Sequence, residues 1–369
     1  MRTTILPTDP IKRKAWSAKV AEDSIKEQYF ARWEGEEGSY SPVVRKTDLE
    51  AGKGDEVTTT LVAKLKGPPI KEGQKLAGNE FKMSNASHTM RVNEFRQGVN
   101  VGARIEQSRV GHNLKATGRR VLTDYISELY EETIAMAANG ARGVGNEITH
   151  YPVGTTGYPN AFRAPDTAHY LVGGLGDKAK ATLLSTDKAS LKTLNILRTK
   201  AKKMIGGQPD NAVKMQQVRR GGKKFFAFAV CPEVMQDIRD DSGAQGWFEA
   251  QKALTAAVGK ESEIFQGGAG MFNGVLVDEV ETCVKFNDFG AGGNINAVRN
   301  LFLGADAIAI AHGTKGMADG MTVALSEDTD DRGHDAVLDF EIIFGADKTQ
   351  FNSMDYGMVS VDTAFTASV

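Results

Sequence analysis

Two periodicities run through this chain. The longer helical one is Leu114, Val121, Leu122, Tyr125, Ile126, Leu129, Tyr130, Ile134 and Ala137. Its steps of three, four and seven predict one amphipathic helix over 111–139, about 40 Å long at 1.5 Å per residue. Asn139-Gly140 supplies the stop, and Lys115, Arg119, Asp124, Glu128, Glu131 and Glu132 fall mostly off the stripe. The acid pairs Glu131/Glu132 and Glu36/Glu37 are read as solvated surface. A second helix is marked by Leu191, Leu194, Leu197, Ala201 and Met204, capped by Thr186 or Asp187 and closed by Gly206-Gly207. The cations Arg198, Lys200, Lys202 and Lys203 in its last turns suit the helix dipole.

The period-two stretches predict strands. In TTTLVAKLKG, Leu61, Ala63 and Leu65 alternate with Val62, Lys64 and Lys66, and Gly67-Pro68-Pro69 ends the run. Phe81 and Met83 mark a second, weaker strand beyond the polar connection KEGQKLAGNE. The pair forms a long hairpin with few apolar residues, and a two-stranded ribbon is marginal alone. It has to bury itself against its own body or a neighbouring chain. From Lys223 to Gly320 short strands alternate with helices. KKFFAFAVC is a buried strand, Pro232 opens a helix through Arg239, GWFEAQKALTAA is another helix, and GMFNGVLVDEVE and NLFLGADAIAIAHG are further strands. In AVLDFEIIFG, Leu338, Phe340, Ile342 and Phe344 share one buried face, and DYGMVSVDTAF makes a last strand with Val359 and Val361 inward. The stretch 140–186 is rich in Gly, Pro and Thr and reads as irregular.

Residues 1–47 have the texture of an arm. Up to Trp33 there are seven basic residues against four acids. Helical spacing occurs twice, at Trp16/Val20 and Ile25/Tyr29/Trp33, with a break between. Such a segment needs a partner surface; a frayed basic terminus is the plainer alternative.

Composition narrows the function. The chain has 369 residues, 41% hydrophobic and 25% charged, with a net charge of −2, so it has material for a core and is no disordered polyanion or polycation. A sequence pI of about 6.4 excludes a globally basic nucleic-acid binder. No apolar run approaches the roughly 18 residues of a membrane span, and no signal peptide is expected. The two cysteines, Cys231 and Cys283, lie in apolar runs and are read as buried thiols in preference to a disulfide.

No motif carries chemistry. There is no phosphate loop, HExxH, paired CxxC or nucleophile elbow. GARGVG and FQGGAGMFNG lack dinucleotide spacing, and the six histidines are scattered. Asp328-Thr329-Asp330-Asp331-Arg332-Gly333, with Asp339 twelfth, imitates a calcium loop, but Arg332 stands where an oxygen ligand is needed, so it is read as a solvated acidic turn. No catalytic residue, cofactor or metal is assigned. What remains is shape: elements that finish burying their surface only on a partner.

Several stretches, in order, carry a resemblance. They are RKTDLEAGKGDEVTTTLVAKLKG, KLAGNEFKM, EFRQGVNVGARIEQSR, CPEVMQDIRDD with WFEAQKA, SEIFQGGAGMFNGVLVDEVE, RNLFLGADAIAIAHG and KTQFNSMDYGMVSVDTAF. Together they resemble the tailed-bacteriophage major capsid proteins of the coliphage N-four type over nearly the whole chain, least from Gly140 to Asp187. The resemblance implies an α+β fold of the Hong Kong 97-like kind: an N-terminal arm (1–47), an extended β-hairpin loop (48–100), a peripheral domain with a long spine helix (101–221, helix 111–139), an axial domain (222–322), and C-terminal strands of the peripheral domain (323–369). It implies a non-enzymatic protein that forms hexamers and pentamers of an icosahedral shell around double-stranded DNA, in the virion, assembled in the bacterial host cytoplasm. Partners would be copies of itself in its own and neighbouring capsomers, portal and scaffolding proteins, optional decoration proteins, and genomic DNA touched weakly and without sequence specificity; no membrane is involved. Trp16, Lys64, Lys66, Lys75, Asn79, Glu80 and Arg91 are the expected inter-subunit contacts. The rivals are an encapsulin-like compartment for protein cargo and a soluble α/β enzyme.

Overall fold

The computed structural model describes residues 29–47, 55–62, 68–80, 83, 85–103, 113–140, 160–204, 214–241, 270–313, 323–330 and 335–366. A short 3-10 helix, Phe30–Trp33, leads into β1 (Glu34–Glu36) and β2 (Val43–Lys46), then β3 (Glu56–Val62), β4 (Asn85–Arg91) and β5 (Asn93–Ala103). Helix α1 (Leu114–Asn139) follows, then β6 (Tyr170–Val172), α2 (Leu191–Lys203), β7 (Val218–Arg220), β8 (Lys223–Val230) and α3 (Pro232–Asp240). The rest is strand: β9 (Met271–Phe272), β10 (Val275–Glu279), β11 (Lys285–Phe289), β12 (Ile295–Leu303), β13 (Ile308–His312), β14 (Val323–Asp330), β15 (Asp335–Lys348), β16 (Gln350–Phe351), β17 (Met354–Asp355) and β18 (Met358–Ala364).

Strand β15 is the axis of a first sheet. β5 pairs with it antiparallel on one side; β14 and β13 pair antiparallel with its first and last parts on the other, and β13 continues in parallel to β2 and β1. The predicted inward set is met: Leu338, Phe340, Ile342 and Phe344 are all buried. Helix α1 covers that face. The Tyr125 ring lies 5.6 Å from Phe340, and Tyr130 stacks on Phe344 at 5.0 Å. Gly118 permits the approach, since a Cβ there would stand 3.1 Å from the Leu338 side chain.

The described helix starts at Leu114, whereas sequence periodicity places the start at Gly111. Asn113 sets the boundary, its side chain accepting the Ala116 N–H. Gly140 ends the helix as predicted, in the left-handed region with φ 71° and its N–H on the Met136 carbonyl. The second half of α1 is largely buried, which corrects the solvated reading of Glu131 and Glu132. Glu132 is buried, and Glu131 accepts the Tyr29 backbone N–H at 2.8 Å, its acid form favoured by burial. Glu36 and Glu37 are exposed.

A second sheet runs β6-β18-β12-β8-β10-β9, with β11 on β12 and β7 on β8. Phe226, Phe228 and Phe302 fill its core. Inside it Arg299 holds Asp362 with two bonds of 2.8 Å and donates to the Asn139 carbonyl at 2.7 Å. Asp362 also accepts the Tyr170 hydroxyl at 2.6 Å. The buried charge pair is thus hydrogen-bonded on both partners, which is the condition for tolerating it. One apolar cluster spans both sheets. Sheet membership crosses the expected 322/323 division both ways: β13 lies in the first sheet, while β18 lies in the second beside β12.

Two further expectations change. Cys231 and Cys283 form a disulfide, with Cα atoms 6.0 Å apart. Parallel pairing of β10 on β8 returns the loop after β10 to the end of β8, where the Val280 N–H meets the Val230 carbonyl; sequence separation hid that proximity. Helix α2 begins at Leu191 behind Ser190, whose N–H reaches the Thr193 hydroxyl, while Asp187 is spent on a preceding turn, accepting the Leu184 N–H. Helix α3 opens at Pro232 as expected. The predicted helix GWFEAQKALTAA, the motif GARGVG and Gly206-Gly207 lie outside the described residues.

Candidate functional site

Strands β3 and β4 pair in register from Glu56↔Arg91 to Val62↔Asn85. The second strand of the hairpin is therefore Asn85–Arg91, and Met83, predicted within it, is exposed before it; Phe81 lies outside the described residues. Alternation decides what the ribbon buries. Val57 and Met90 turn inward and form a small separate core with Ala309, Ala311 and Val92. The outer positions are polar apart from Val62, and the Thr58 and Thr89 hydroxyls meet across the pair at 3.1 Å.

The base of the ribbon is gripped from several sides. Asn160 accepts the Arg91 N–H at 2.8 Å and donates to the carbonyls of Arg91 (2.9 Å) and Ala346 (3.2 Å). One side chain thereby bonds β4 to β15. Gly345 makes room, since a Cβ there would come within 2.1 Å of the Arg91 carbonyl. His88 is buried 3.7 Å from the Asp347 carboxylate, with Arg163 3.6 Å from the same carboxylate. Burial lowers the His88 pKa to about 4, helped by Arg163 and Lys46, and raises that of Asp347 to about 6 against the pull of Arg163. Next to them Lys348 and Asp355, each almost fully buried, form an ion pair at 3.0 Å, and the Asp355 N–H donates to Asp166, which also holds His169 at 2.8 Å. Although this knot has the residue types of a catalytic centre, its Lys348–Asp355 pair is sealed from substrate. Only His88 in this group belongs to the ribbon; Lys348, Asp355, Asp166 and His169 tie the end of β15 to the segments around it.

The far end of the ribbon differs. Val62, Leu76 and Met83, all large apolar side chains, are 54%, 64% and 73% exposed, and residues 71–80 are exposed throughout. The expected contact residues fall unevenly on this layout. Lys75, Asn79 and Glu80 are at the exposed end, where Asn79 donates to the Lys75 carbonyl and Glu80 accepts the Gly78 N–H. Arg91 is at the base, paired at 2.5 Å with Glu56 of the same ribbon. Trp16, Lys64 and Lys66 lie outside the described residues. Sequence reading missed Asn160, His88 and Gly345. The glycine interrupting an alternating strand was the available signal; Asn160 sat in a stretch without periodicity.

Among the described residues no three His, Cys, Asp or Glu side chains gather as a metal site. Asp328–Asp330 close strand β14, opposite β15; Asp331 to Gly333 of the calcium-like loop lie outside the described residues. No described helix is long and apolar enough to cross a membrane.

Comparison with known proteins gives one consistent result. The family model described as phage capsid protein matches residues 4–367. The chain is similar to the capsid of Ralstonia phage GP4, at 33% identity and a TM-score of 0.80 over 100% of both chains. It shares the fold of the cyanophage Pam1 capsid (18% identity, TM-score 0.74, 93% of this chain and 94% of that one) and of the acid-stable capsid of Helicobacter pylori bacteriophage KHP30 (13%, 0.65, 92% and 91%). No curated protein sequence matches it.

Proposed function

Since this chain belongs to the phage capsid protein family, we propose that it builds the head shell of a tailed bacteriophage of the coliphage N-four type, with the Hong Kong 97-like organisation of arm, extended loop, spine helix, and peripheral and axial domains. Membership makes it a structural component of the virion capsid. In the proposed shell, copies associate as hexamers and pentamers and enclose double-stranded DNA, with portal and scaffolding proteins as further partners. The observation that carries this reading is the hairpin: a base locked by Asn160 and Gly345, and an end that exposes Val62, Leu76 and Met83. Apolar side chains exposed beyond an anchored base are covered when a neighbouring subunit lies against them. Subunit interfaces of this kind bury on the order of 2,000 Å² or more. Charged residues at the same end, Lys75 and Glu80 among them, set register more than affinity.

The register gives a clean test. Val62 and Asn85 face each other, so residues 63–84 can be replaced by Asn-Gly, closing the ribbon with a tight turn and leaving its base intact. The expected result is a folded subunit that no longer yields closed particles in negative-stain images. Normal shells from this variant would remove the reason for giving the hairpin its role. Nucleic acid inside wild-type particles supports a genome container; an enzyme cargo in its place would identify a protein compartment.

A further inference from the structure

The tight hairpin between β7 and β8 has the sequence Arg219-Arg220-Gly221-Gly222-Lys223-Lys224. Its two glycines take positive φ, 56° and 78°, the geometry of a two-residue turn. Register places Arg219 opposite Lys224 and Arg220 opposite Lys223. Directly opposed residues share a face of a ribbon, and successive pairs alternate faces. The ribbon therefore carries two cations on each face, around a tip with open space above both glycines. All four are exposed, and among the described residues none takes part in an ion pair. Arg219 lies 3.9 Å over the Tyr40 ring and Arg220 donates to the Arg32 carbonyl, contacts that orient the guanidinium groups without neutralising them.

Like charges set directly opposite each other destabilise a ribbon. Doing so twice, in a chain whose net charge is −2, concentrates positive charge at a tip where no described ion pair offsets it. We infer that this hairpin binds the phosphate backbone of nucleic acid. A flat acidic protein surface would engage one face. Cations on both faces and beside the tip match a ligand with closely spaced negative charges on several sides, and arginine and lysine with glycine offer phosphate contacts without base readout. A two-stranded ribbon also has the dimensions of a DNA major groove. The inference rests on the capsid reading above and adds to it the residues that touch the packaged polymer.

The test uses the full-length subunit and a labelled 30-base-pair duplex, with affinity measured from 50 to 200 mM NaCl. Lys223→Gln with Lys224→Gln removes two charges while leaving the stacking of Arg219 and the hydrogen bond of Arg220 in place. It should lower affinity equally for unrelated sequences and make the plot of log affinity against log salt shallower by about 0.9 for each phosphate that is no longer neutralised. Adding Arg219→Gln and Arg220→Gln should roughly double that change, with the thermal midpoint measured alongside. An unchanged slope, or a weakening that depends on sequence, overturns the inference. So does unaltered DNA affinity combined with failed shell closure, which would place the hairpin on carboxylates of a neighbouring copy. Failure of the capsid reading itself shows separately, as wild-type subunits that never form particles.

Discussion

Strands β12 and β18 pair through seven register partners, Ala297↔Ala364 to Leu303↔Met358; strands β3 and β4 also pair through seven. The backbone pattern is the same, but the burial is not. All seven residues of β18 are buried, and so are Ala297–Leu303 of β12. In the other pair only Val57, His88 and Met90 are buried. Hydrogen bonds along a ladder thus say little about where an element gets its stability. β12–β18 is completed by its own chain, down to the Arg299–Asp362 pair. β3–β4 is completed at one end only, and Val62, Leu76 and Met83 at the other end stay exposed, the surface that the proposed shell would cover.

Four changes probe that contrast, in order of expected size. Arg299→Met leaves Asp362 buried without its cation and should cost the unassembled subunit about 3–5 kcal/mol in urea unfolding; a cost below about 1 kcal/mol would mean that packing alone completes the central pair. Gly345→Ala drives a methyl group into the Arg91 carbonyl and should cost about 1–3 kcal/mol. Hydrogen exchange should then rise along β3–β4 while β12–β18 stays protected. If both ribbons loosen together, the base of the hairpin is no separate anchor.

The third change concerns pH. Burial raises Asp347 from 3.8 to about 6. The stability linked to its proton is complete below 3.8 and lost as pH rises through about 6. Asp347→Asn should therefore stabilise the subunit by up to about 3 kcal/mol at pH 8 and make no difference near pH 4. His88, lowered from 6.5 to about 4, works the other way, its contribution being lost as pH falls through that window. The variant should accordingly lose stability more steeply than wild type between pH 6 and 4, as followed by thermal unfolding; parallel curves would separate Asp347 from the hairpin base. The smallest effect is expected from Leu76→Ser and Met83→Ser at the exposed end. Subunit stability should change by no more than about 0.5 kcal/mol, while particle yield drops. A matching drop in stability would mean that these side chains already have cover.

Much of the fold was legible because its periodicity is strong. The face of Leu338, Phe340, Ile342 and Phe344, the stop of α1 at Gly140, and Pro232 at the start of α3 follow from local rules that packing did not override. Non-local contacts were the part that sequence hid. Glu131 and Glu132 look like surface residues until tertiary packing buries Glu132 and half-buries Glu131, with the Tyr29 backbone bonded to Glu131. Ser190 outcompeted Asp187 as a helix start because Asp187 was engaged in a turn. The disulfide depended on a parallel strand pairing, and the hairpin anchor on Asn160, some 70 residues away along the chain. The hairpin itself was visible as alternation with too few apolar residues to stand alone, which is why its exposed end could be located and its fastening could not.

The bond from Arg299 to the carbonyl of Asn139 has a mechanical meaning. Helix α1 lies against the first sheet and is fastened at its last residue to a central strand of the second. Neither sheet can swing about the helix without breaking a buried, charge-assisted bond. A load that would rotate one sheet against the other therefore bears on this bond.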